Sequence, residues 1–190
     1  MIFCIIGKSA TGKDSIYKKI LEKDKTINKI LTYTTRPKRL DEKDGVQYIF
    51  VDEKFLSDNE DKIIEKRIYH TVYGDWYYAT LNNFNNSSDK KYLIIGTLES
   101  YKNLCNFFGK KNVVPIYIEV DYDIRYKRAV CREKMKDENK LLEVKRRFLA
   151  DEKDFSDENL NKLNITKKFV NNNIDNCVDE IYKYMMDKND

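Results

Sequence analysis

The chain has 190 residues, and its 36 basic residues exceed its 32 acidic residues by only four charges. Because charges of both signs are closely intermixed, they indicate a solvated surface and not a face for a nucleic acid polymer. No apolar run approaches the roughly 18 residues of a membrane span, and the four cysteines lack paired or metal-ligand spacing. The sequence opens on a strand without a signal peptide, so we expect a single cytoplasmic domain that binds no membrane.

The first element is an apolar strand that leads into a loop bounded by glycines. Gly7 and Gly12 bracket four residues, and Lys13 follows at once. Glycine frees the backbone to curl around phosphate oxygens, and the positive end of a helix beginning near Asp14 adds to the attraction. This order predicts a phosphate-binding loop for ATP, in which Lys13 is a catalytic group that reaches the β- and γ-phosphates. The residues expected to hold the nucleotide are Gly7, Ser9, Ala10, Thr11, Gly12, Lys13, Asp14 and Ser15.

The position after Lys13 departs from the usual pattern of such loops. A Ser or Thr normally stands there and binds Mg²⁺ through its hydroxyl, whereas this chain has Asp14 followed by Ser15. A carboxylate is a good Mg²⁺ ligand, so Asp14 is the expected metal ligand, although it adds negative charge beside a polyphosphate. The alternative interpretation is a glycine-rich turn capped by Asp14.

The rest of the chain alternates between strand and helix patterns. A helix is expected to run to about residue 23, followed by a strand near 29–34. Residues 45–51 and 63–78 are rich in aromatic and β-branched residues, which predicts short antiparallel strands around a helix near 53–61. Buried strands are expected at 92–96, 113–120 and 167–170, with helical patterns at 122–155 and 174–186. This alternation predicts an α/β fold of three layers, with a parallel central sheet, a small antiparallel lobe and a charged helical lid.

A second motif carries two arginines at a fixed distance from a tyrosine. Residues 32–39 read TYTTRPKR and include Arg36 and Arg39, and residues 44–51 read DGVQYIFV and include Tyr48. Two guanidinium groups and a phenol make a fixed cradle for a dianionic monophosphate. A solvated basic turn is the alternative interpretation. Together with the phosphate-binding loop, this motif resembles the guanylate kinase family, and the resemblance covers nearly the full length of the chain.

The resemblance implies a P-loop kinase that uses ATP and Mg²⁺ to phosphorylate a nucleoside monophosphate (NMP), with GMP favoured, as a monomer or homodimer. It implies a core of residues 1–32, 90–127 and 156–190, an NMP-binding lobe of about 33–89 and a lid of about 128–155. Arg132 and Arg147 resemble lid arginines that stabilise the transferring phosphoryl group, although ion pairing along the helix is an alternative for the arginines of this region. The residues expected to bind the acceptor are Thr32, Arg36, Arg39, Tyr48, Tyr77 and Thr97.

The resemblance breaks where family members recognise guanine, which they do with a glutamate and an aspartate. Counting back from Tyr77 without a gap places Ile68 at the glutamate position, and Ile95 and Thr97 stand where two aspartates are expected. Glu65 or Glu99 would substitute only after a shift in the alignment. A shorter match, residues 170–172, resembles a family segment near the nucleotide base.

The missing base-reading carboxylates keep two other functions open. The first is a kinase for a phosphorylated sugar or another small phosphate, which would retain the phosphate-binding residues and lose the base-reading ones. The second is a non-catalytic binding module similar to the guanylate-kinase-like domains of scaffold proteins. Such modules typically degrade the phosphate-binding loop, which is intact here through Lys13.

Overall fold

The structure is a computed structural model that describes residues 1–39, 42–71, 73–84, 90–132 and 138–188, with the side chains of 132, 138 and 139 outside the description. The strands are, in chain order, β1 (Ile2–Gly7), β2 (Asn28–Lys29), β3 (Tyr33–Thr34), β4 (Ile49–Phe50), β5 (Ile63–Thr71), β6 (Gly74–Leu81), β7 (Tyr92–Ile95), β8 (Val113–Glu119) and β9 (Lys168–Val170). The helices are α1 (Lys13–Lys23), α2 (Glu53–Asp58), α3 (Leu98–Phe108), α4 (Tyr122–Arg132), α5 (Glu138–Asp154), α6 (Asp157–Lys162) and α7 (Ile174–Asp187). Within these ranges, we find no helix with the length and apolar character needed to cross a bilayer.

A parallel sheet with the strand order β2-β7-β1-β8-β9 forms the centre of the protein. β1 is bonded on both edges, pairing Ile2 with Tyr92 of β7 and with Val113 of β8. Its side chains alternate between two apolar layers, since Phe3 and Ile5 pack with α1 and α7. Ile2, Cys4 and Ile6 pack with α3 on the other face. Burial on both faces explains why the strand is apolar throughout, and the expected three-layer α/β fold is confirmed.

A second sheet with the order β4-β3-β6-β5 lies beside the first. β6 is antiparallel to both β3 and β5, but β4 runs parallel to β3, so the expected antiparallel lobe is a mixed sheet. The prediction of a single strand near 29–34 is wrong, because β2 belongs to the central sheet and β3 to the second sheet. The N–H of Ile30 still donates to the carbonyl of Leu93 in the central sheet, at 2.9 Å, and three residues later Tyr33 pairs with Ala79 in the second sheet.

The two faces of the second sheet have different surroundings. Tyr77 and Ala79 of β6 pack with Tyr33 and with Leu56 of α2 in a small apolar cluster. Tyr78 lies between them in sequence and therefore faces the opposite side, because successive strand residues alternate between faces. That opposite side is the one that faces the phosphate-binding loop across a cavity.

Gly12 provides a test of how tightly the loop packs. Its φ is +90°, and a Cβ added there would lie 2.6 Å from Nδ2 of Asn171. Gly45 has a φ of +71°, and a Cβ added there would have no atom within 4 Å. An alanine at position 45 therefore measures the cost of the left-handed backbone conformation without a steric clash. We expect Gly45→Ala to lower the free energy of unfolding by about 1–2 kcal/mol and Gly12→Ala to add an overpacking cost of about 1–3 kcal/mol. Urea denaturation of both variants measures the difference, and equal losses would contradict the packing argument.

Candidate active site

A cavity of about 440 Å³ opens between the carboxyl ends of the central strands, the second sheet and α5. Ligands of parallel α/β sheets bind at this edge, because the loops that follow the strands converge there. Most of the side chains singled out from the sequence line it. They are Ser9 and Lys13 from the loop after β1, Thr32, Arg36, Arg39 and Tyr48 from the second motif, Thr97 from the loop after β7, and Arg147 from α5.

The loop after β1 is held in place by its own side chains and by a residue that follows β9. Lys13 Nζ donates to the carbonyl oxygens of Gly7 and Lys8, at 2.7 and 2.9 Å, and Thr11 Oγ1 donates to the same Lys8 oxygen at 2.9 Å. The buried amide of Asn171 donates to the carbonyl of Thr11 at 2.8 Å. The sequence match at residues 170–172 therefore belongs to the support of the phosphate-binding loop.

Asp14 and Ser15 are exposed in the first turn of α1. Burial raises the pKa of the Tyr48 phenol, and the charges of Tyr78 and Asp14 raise it further, so Asp14 interacts with the second motif through space. No cluster of three or more histidine, cysteine or acidic side chains that could hold a metal occurs among the described residues. A metal at Asp14 would therefore need oxygen ligands from a bound phosphate as well as from the chain.

Arg36 is the most tightly held cation of the second motif. Its side chain is 5% exposed, and Nη2 donates to both carboxylate oxygens of Glu42, at 2.7 and 2.9 Å. Its Nε donates to the Tyr78 hydroxyl at 3.1 Å, and the guanidinium lies over the Tyr48 ring. Burial alone would lower the pKa of Arg36, but Glu42 and Tyr78 together outweigh it through their hydrogen bonds and charges, and the pKa is raised. The guanidinium is thus permanently charged and fixed in orientation, unlike a solvated basic turn.

The structure does not bring Tyr77 or Ile68 to the cavity. The two residues pair with each other across β5 and β6, and Ile68 is 46% exposed on the outer face. Tyr78 and Arg67, which also pair with each other, line the cavity instead. Tyr77 and Tyr78 are adjacent in β6, and successive strand residues alternate between faces, so Tyr78 and not Tyr77 lines the cavity. Tyr78 was visible in the sequence beside Tyr77, but a count along the chain does not tell which of two neighbouring strand residues faces the cavity.

A buried ion pair lies at the end of the cavity formed by β5 and α3. Glu65 accepts from Nε and Nη2 of Arg67, at 2.9 and 3.3 Å, and from the Thr80 hydroxyl at 2.8 Å. Arg67 Nη1 lies 3.3 Å from the Thr97 hydroxyl, which also caps the first turn of α3. Glu99 is exposed on α3 and does not line the cavity. The sequence pattern identified Thr97 but missed Arg67.

α5 brings both charge signs to the cavity opposite the second sheet. Arg146 donates to both carboxylate oxygens of Glu143, at 2.8 and 2.7 Å, and Arg147 Nε donates to the Glu143 carbonyl at 3.4 Å. All three line the cavity, so helix pairing and a role facing a ligand are compatible. Arg132 ends α4, and its expected role concerns a side chain outside the described residues.

The helix also contacts the phosphate-binding loop directly. Asp151 accepts from the backbone N–H of Ser9 at 2.6 Å, and Glu152 pairs with Lys8 at 2.5 Å and with buried Arg125 at 2.8 Å. Burial would raise the pKa of Glu152, but its hydrogen bonds to the two cations outweigh this and the pKa is lowered. An anionic oxygen therefore already occupies one N–H of a loop suited to anions.

The sheet order, the glycine-bounded loop and the lysine that follows it define a P-loop protein whose loop lines the cavity. The family model described as guanylate kinase matches residues 2–188. The chain belongs to the guanylate kinase family.

Individual relatives match more locally. The guanylate kinase of Legionella pneumophila (strain Lens) is 36% identical over 86 residues, which are 44% of this chain and 40% of that protein. The guanylate kinase of Syntrophomonas wolfei subsp. wolfei is 33% identical over 92 residues, 47% of each chain. The chain thus spans less than half the length of these curated relatives in the matched segments.

Two solved structures share the fold. The crystal structure of guanylate kinase from Anaplasma phagocytophilum aligns with a TM-score of 0.67 and 21% identity, covering 100% of this chain and 86% of that one. An uncharacterized protein from Eubacterium ventriosum aligns with a TM-score of 0.50 and 17% identity, covering 98% of both chains. At these identities the likeness concerns the fold alone.

The support of the loop by Asn171 can be tested against its neighbour. Asn171→Ala removes the donor to the Thr11 carbonyl at a buried site, and we expect a loss of about 1–3 kcal/mol in the free energy of unfolding. Asn172 is exposed, so Asn172→Ala should change it by no more than about 0.5 kcal/mol. Chemical denaturation of the two variants measures both values. An Asn171→Ala variant as stable as Asn172→Ala would refute the support of the loop by Asn171.

Proposed function

We propose that the protein is an ATP-dependent nucleoside monophosphate kinase that favours GMP as acceptor and forms GDP. One observation carries the proposal: a single cavity holds the phosphate-binding loop with Lys13 and the buried Arg36 of the second motif. A donor phosphate on the loop and an acceptor phosphate at Arg36 would therefore share one enclosed space. Membership of the guanylate kinase family supports the same reaction.

The donor end would bind the polyphosphate of ATP. The loop from Gly7 to Gly12 offers backbone N–H groups beside the start of α1, where the helix dipole favours negative charge. Lys13 would move its ammonium from the loop carbonyls to the β- and γ-phosphates. Mg²⁺ fits the exposed oxygen ligands Asp14 and Ser15, and when bound it would neutralise charge on the same phosphates.

The acceptor end would hold the monophosphate. Arg36 is oriented by Glu42 and by the Tyr78 hydroxyl, so little side-chain freedom remains to be lost on binding. Arg39 and Tyr48 also line this part of the cavity and would supply further donors. We assign to Tyr78 the contact that the sequence count gave to Tyr77.

The transferring phosphoryl group would pass between these two ends, opposite α5. Arg146 and Arg147 line the cavity from this helix, and positive charge held beside the moving group stabilises the charge spread over its oxygens. α5 would also exclude water from the reaction. Arg132 keeps its expected role as a second lid arginine, as a proposal, and so do the monomeric or homodimeric state, the cytoplasmic location and the core, lobe and lid boundaries.

A kinase for a phosphorylated sugar is the second candidate. It is favoured by the end of the cavity formed by β5 and α3, where the base of a nucleotide would lie and which we call the base end. There Glu65 accepts hydrogen bonds from Arg67 and Thr80, and Glu99 does not line the cavity. No carboxylate of β5, β6 or α3 therefore faces that end within the described residues. A non-catalytic module is disfavoured, because the phosphate-binding loop is complete through Lys13.

Lys13→Ala tests the donor end. Loss of the ammonium that follows the transferring charge should lower kcat by about 100-fold or more. Lys18→Ala is the matched control, since Lys18 is an exposed residue of the same helix, 78% exposed in its side chain. A coupled ADP-release assay across GMP, dGMP, AMP, CMP, UMP and phosphorylated sugars measures turnover. Near-normal turnover by Lys13→Ala would exclude the assignment, and turnover on a sugar phosphate alone would favour the second candidate.

Tyr78→Phe and Tyr77→Phe test the acceptor end with adjacent residues. Removing the Tyr78 hydroxyl deletes a bond to the Arg36 cation, which should raise the acceptor KM by about 10-fold or more and leave the ATP KM unchanged. Tyr77 packs in the apolar cluster on the other face, so Tyr77→Phe should leave both constants within about twofold. A defect confined to ATP, or the reverse order of the two variants, would show that the acceptor is bound elsewhere.

A further inference from the structure

The base end of the cavity presents hydrogen-bond donors where family members use carboxylates, and this inference rests on the proposed function. Arg67, Tyr69 and Thr97 line that end, whereas Glu65 does not. The Glu65 side chain has no exposed surface, and its two oxygens accept from Arg67 and from Thr80. Glu65 therefore holds the guanidinium in place and is not available to a substrate.

The orientation of Arg67 leaves one edge of its guanidinium toward the cavity. Its Nε–Nη2 side faces Glu65, so the remaining edge is the one formed by Nη1 and Nη2. Nη1 lies 3.3 Å from the Thr97 hydroxyl and 3.4 Å from that of Tyr69, which are long contacts compared with typical N–H···O bonds. Burial would lower the pKa of Arg67, but Glu65 and Tyr69 together outweigh it through their charges and hydrogen bonds, and the pKa is raised. Because Nη1 donates to these two hydroxyls only over long distances, a ligand that displaces them would meet two parallel N–H groups of a fixed cation.

The distance from this cation to the acceptor phosphate site is bridged by a single side chain. The Tyr78 hydroxyl accepts from Arg36, and the Tyr78 ring lies 5.9 Å from the guanidinium carbon of Arg67. A nucleotide whose phosphate binds at Arg36 would therefore extend along Tyr78, with its base at Arg67.

We infer that Arg67, with the Thr97 hydroxyl, recognises the acceptor edge of guanine formed by O6 and N7. A guanidinium fork matches two adjacent acceptors, and the pairing of arginine with O6 and N7 is the commonest specific contact of this kind. Adenine places an amino group at the position of O6, where it would oppose the donors of Arg67. The N1–H and 2-amino groups of guanine are donors and gain nothing from this cation.

Base analogues distinguish this edge from the one that carboxylates would read. IMP lacks the 2-amino group but keeps O6 and N7, so its kcat/KM should stay within about threefold of that for GMP. The monophosphate of 7-deazaguanosine lacks N7 and should lose about 10-fold or more, and AMP about 100-fold or more. A large loss for IMP with none for the 7-deaza analogue would overturn the inference while leaving the kinase assignment intact. A lack of turnover on every nucleotide would instead exclude the proposed function itself.

Variants of Arg67 and Glu65 test whether this pair is responsible for the discrimination between bases. Arg67→Lys keeps a cation beside Glu65 but removes the fork, and it should abolish the discrimination between GMP and the 7-deaza analogue. If that variant does not fold, the double variant Arg67→Gln with Glu65→Gln removes both buried charges and should do the same. Glu99→Gln is the control, because Glu99 lies outside the cavity and its loss should leave every ratio unchanged. Wild-type discrimination in a folded Arg67 variant, or its loss in Glu99→Gln, would refute the role of Arg67.

Discussion

Pairing of β1 on both edges is the constraint on which the site depends. Since β7 and β8 run parallel to β1, and β9 parallel to β8, their carboxyl ends meet at one edge of the sheet. The phosphate-binding loop follows β1, Thr97 follows β7 and Asn171 follows β9, which is why Thr11 and Asn171, 160 positions apart in sequence, contact one another. The packing there is close, because a Cβ on Gly7 would lie only 2.5 Å from the Ile118 carbonyl oxygen of β8.

The sequence predicted the parts of this site that local chemistry determines. A glycine-bounded loop between a strand and a helix has few other uses, and two arginines spaced with a tyrosine indicated the second motif. These patterns placed Lys13, Arg36, Arg39 and Tyr48 in one site, and the structure brings them to one cavity. The central strands were predictable for a similar reason, since strands buried on both faces are apolar throughout.

The residues that the sequence did not predict depend on strand register. Which of Tyr77 and Tyr78 faces the cavity is decided by the register of β6, and composition carries no record of it. Arg67, which pairs with Tyr78 in that register, reads in sequence as one more charge in a basic chain. The sequence also did not show that residues 28–34 are divided between two sheets. Their partners, Leu93 and Ala79, belong to strands that lie much further along the chain.

A buried arginine at a binding site requires its own counterion. Removing either partner from such a pair leaves a buried charge without compensation, at about 3–5 kcal/mol, so Arg67 and Glu65 are coupled. Because of this coupling, the Glu65 carboxylate has an indirect role. Glu65 lies two residues before Arg67, which pairs with Tyr78, and it affects the cavity only by orienting the Arg67 guanidinium. Discrimination between bases would then depend on the edge of the Arg67 guanidinium that faces the cavity. β5 thus keeps an acidic residue, and yet the side chains that it presents to the cavity are Arg67, Tyr69 and Thr71, none of which is a carboxylate.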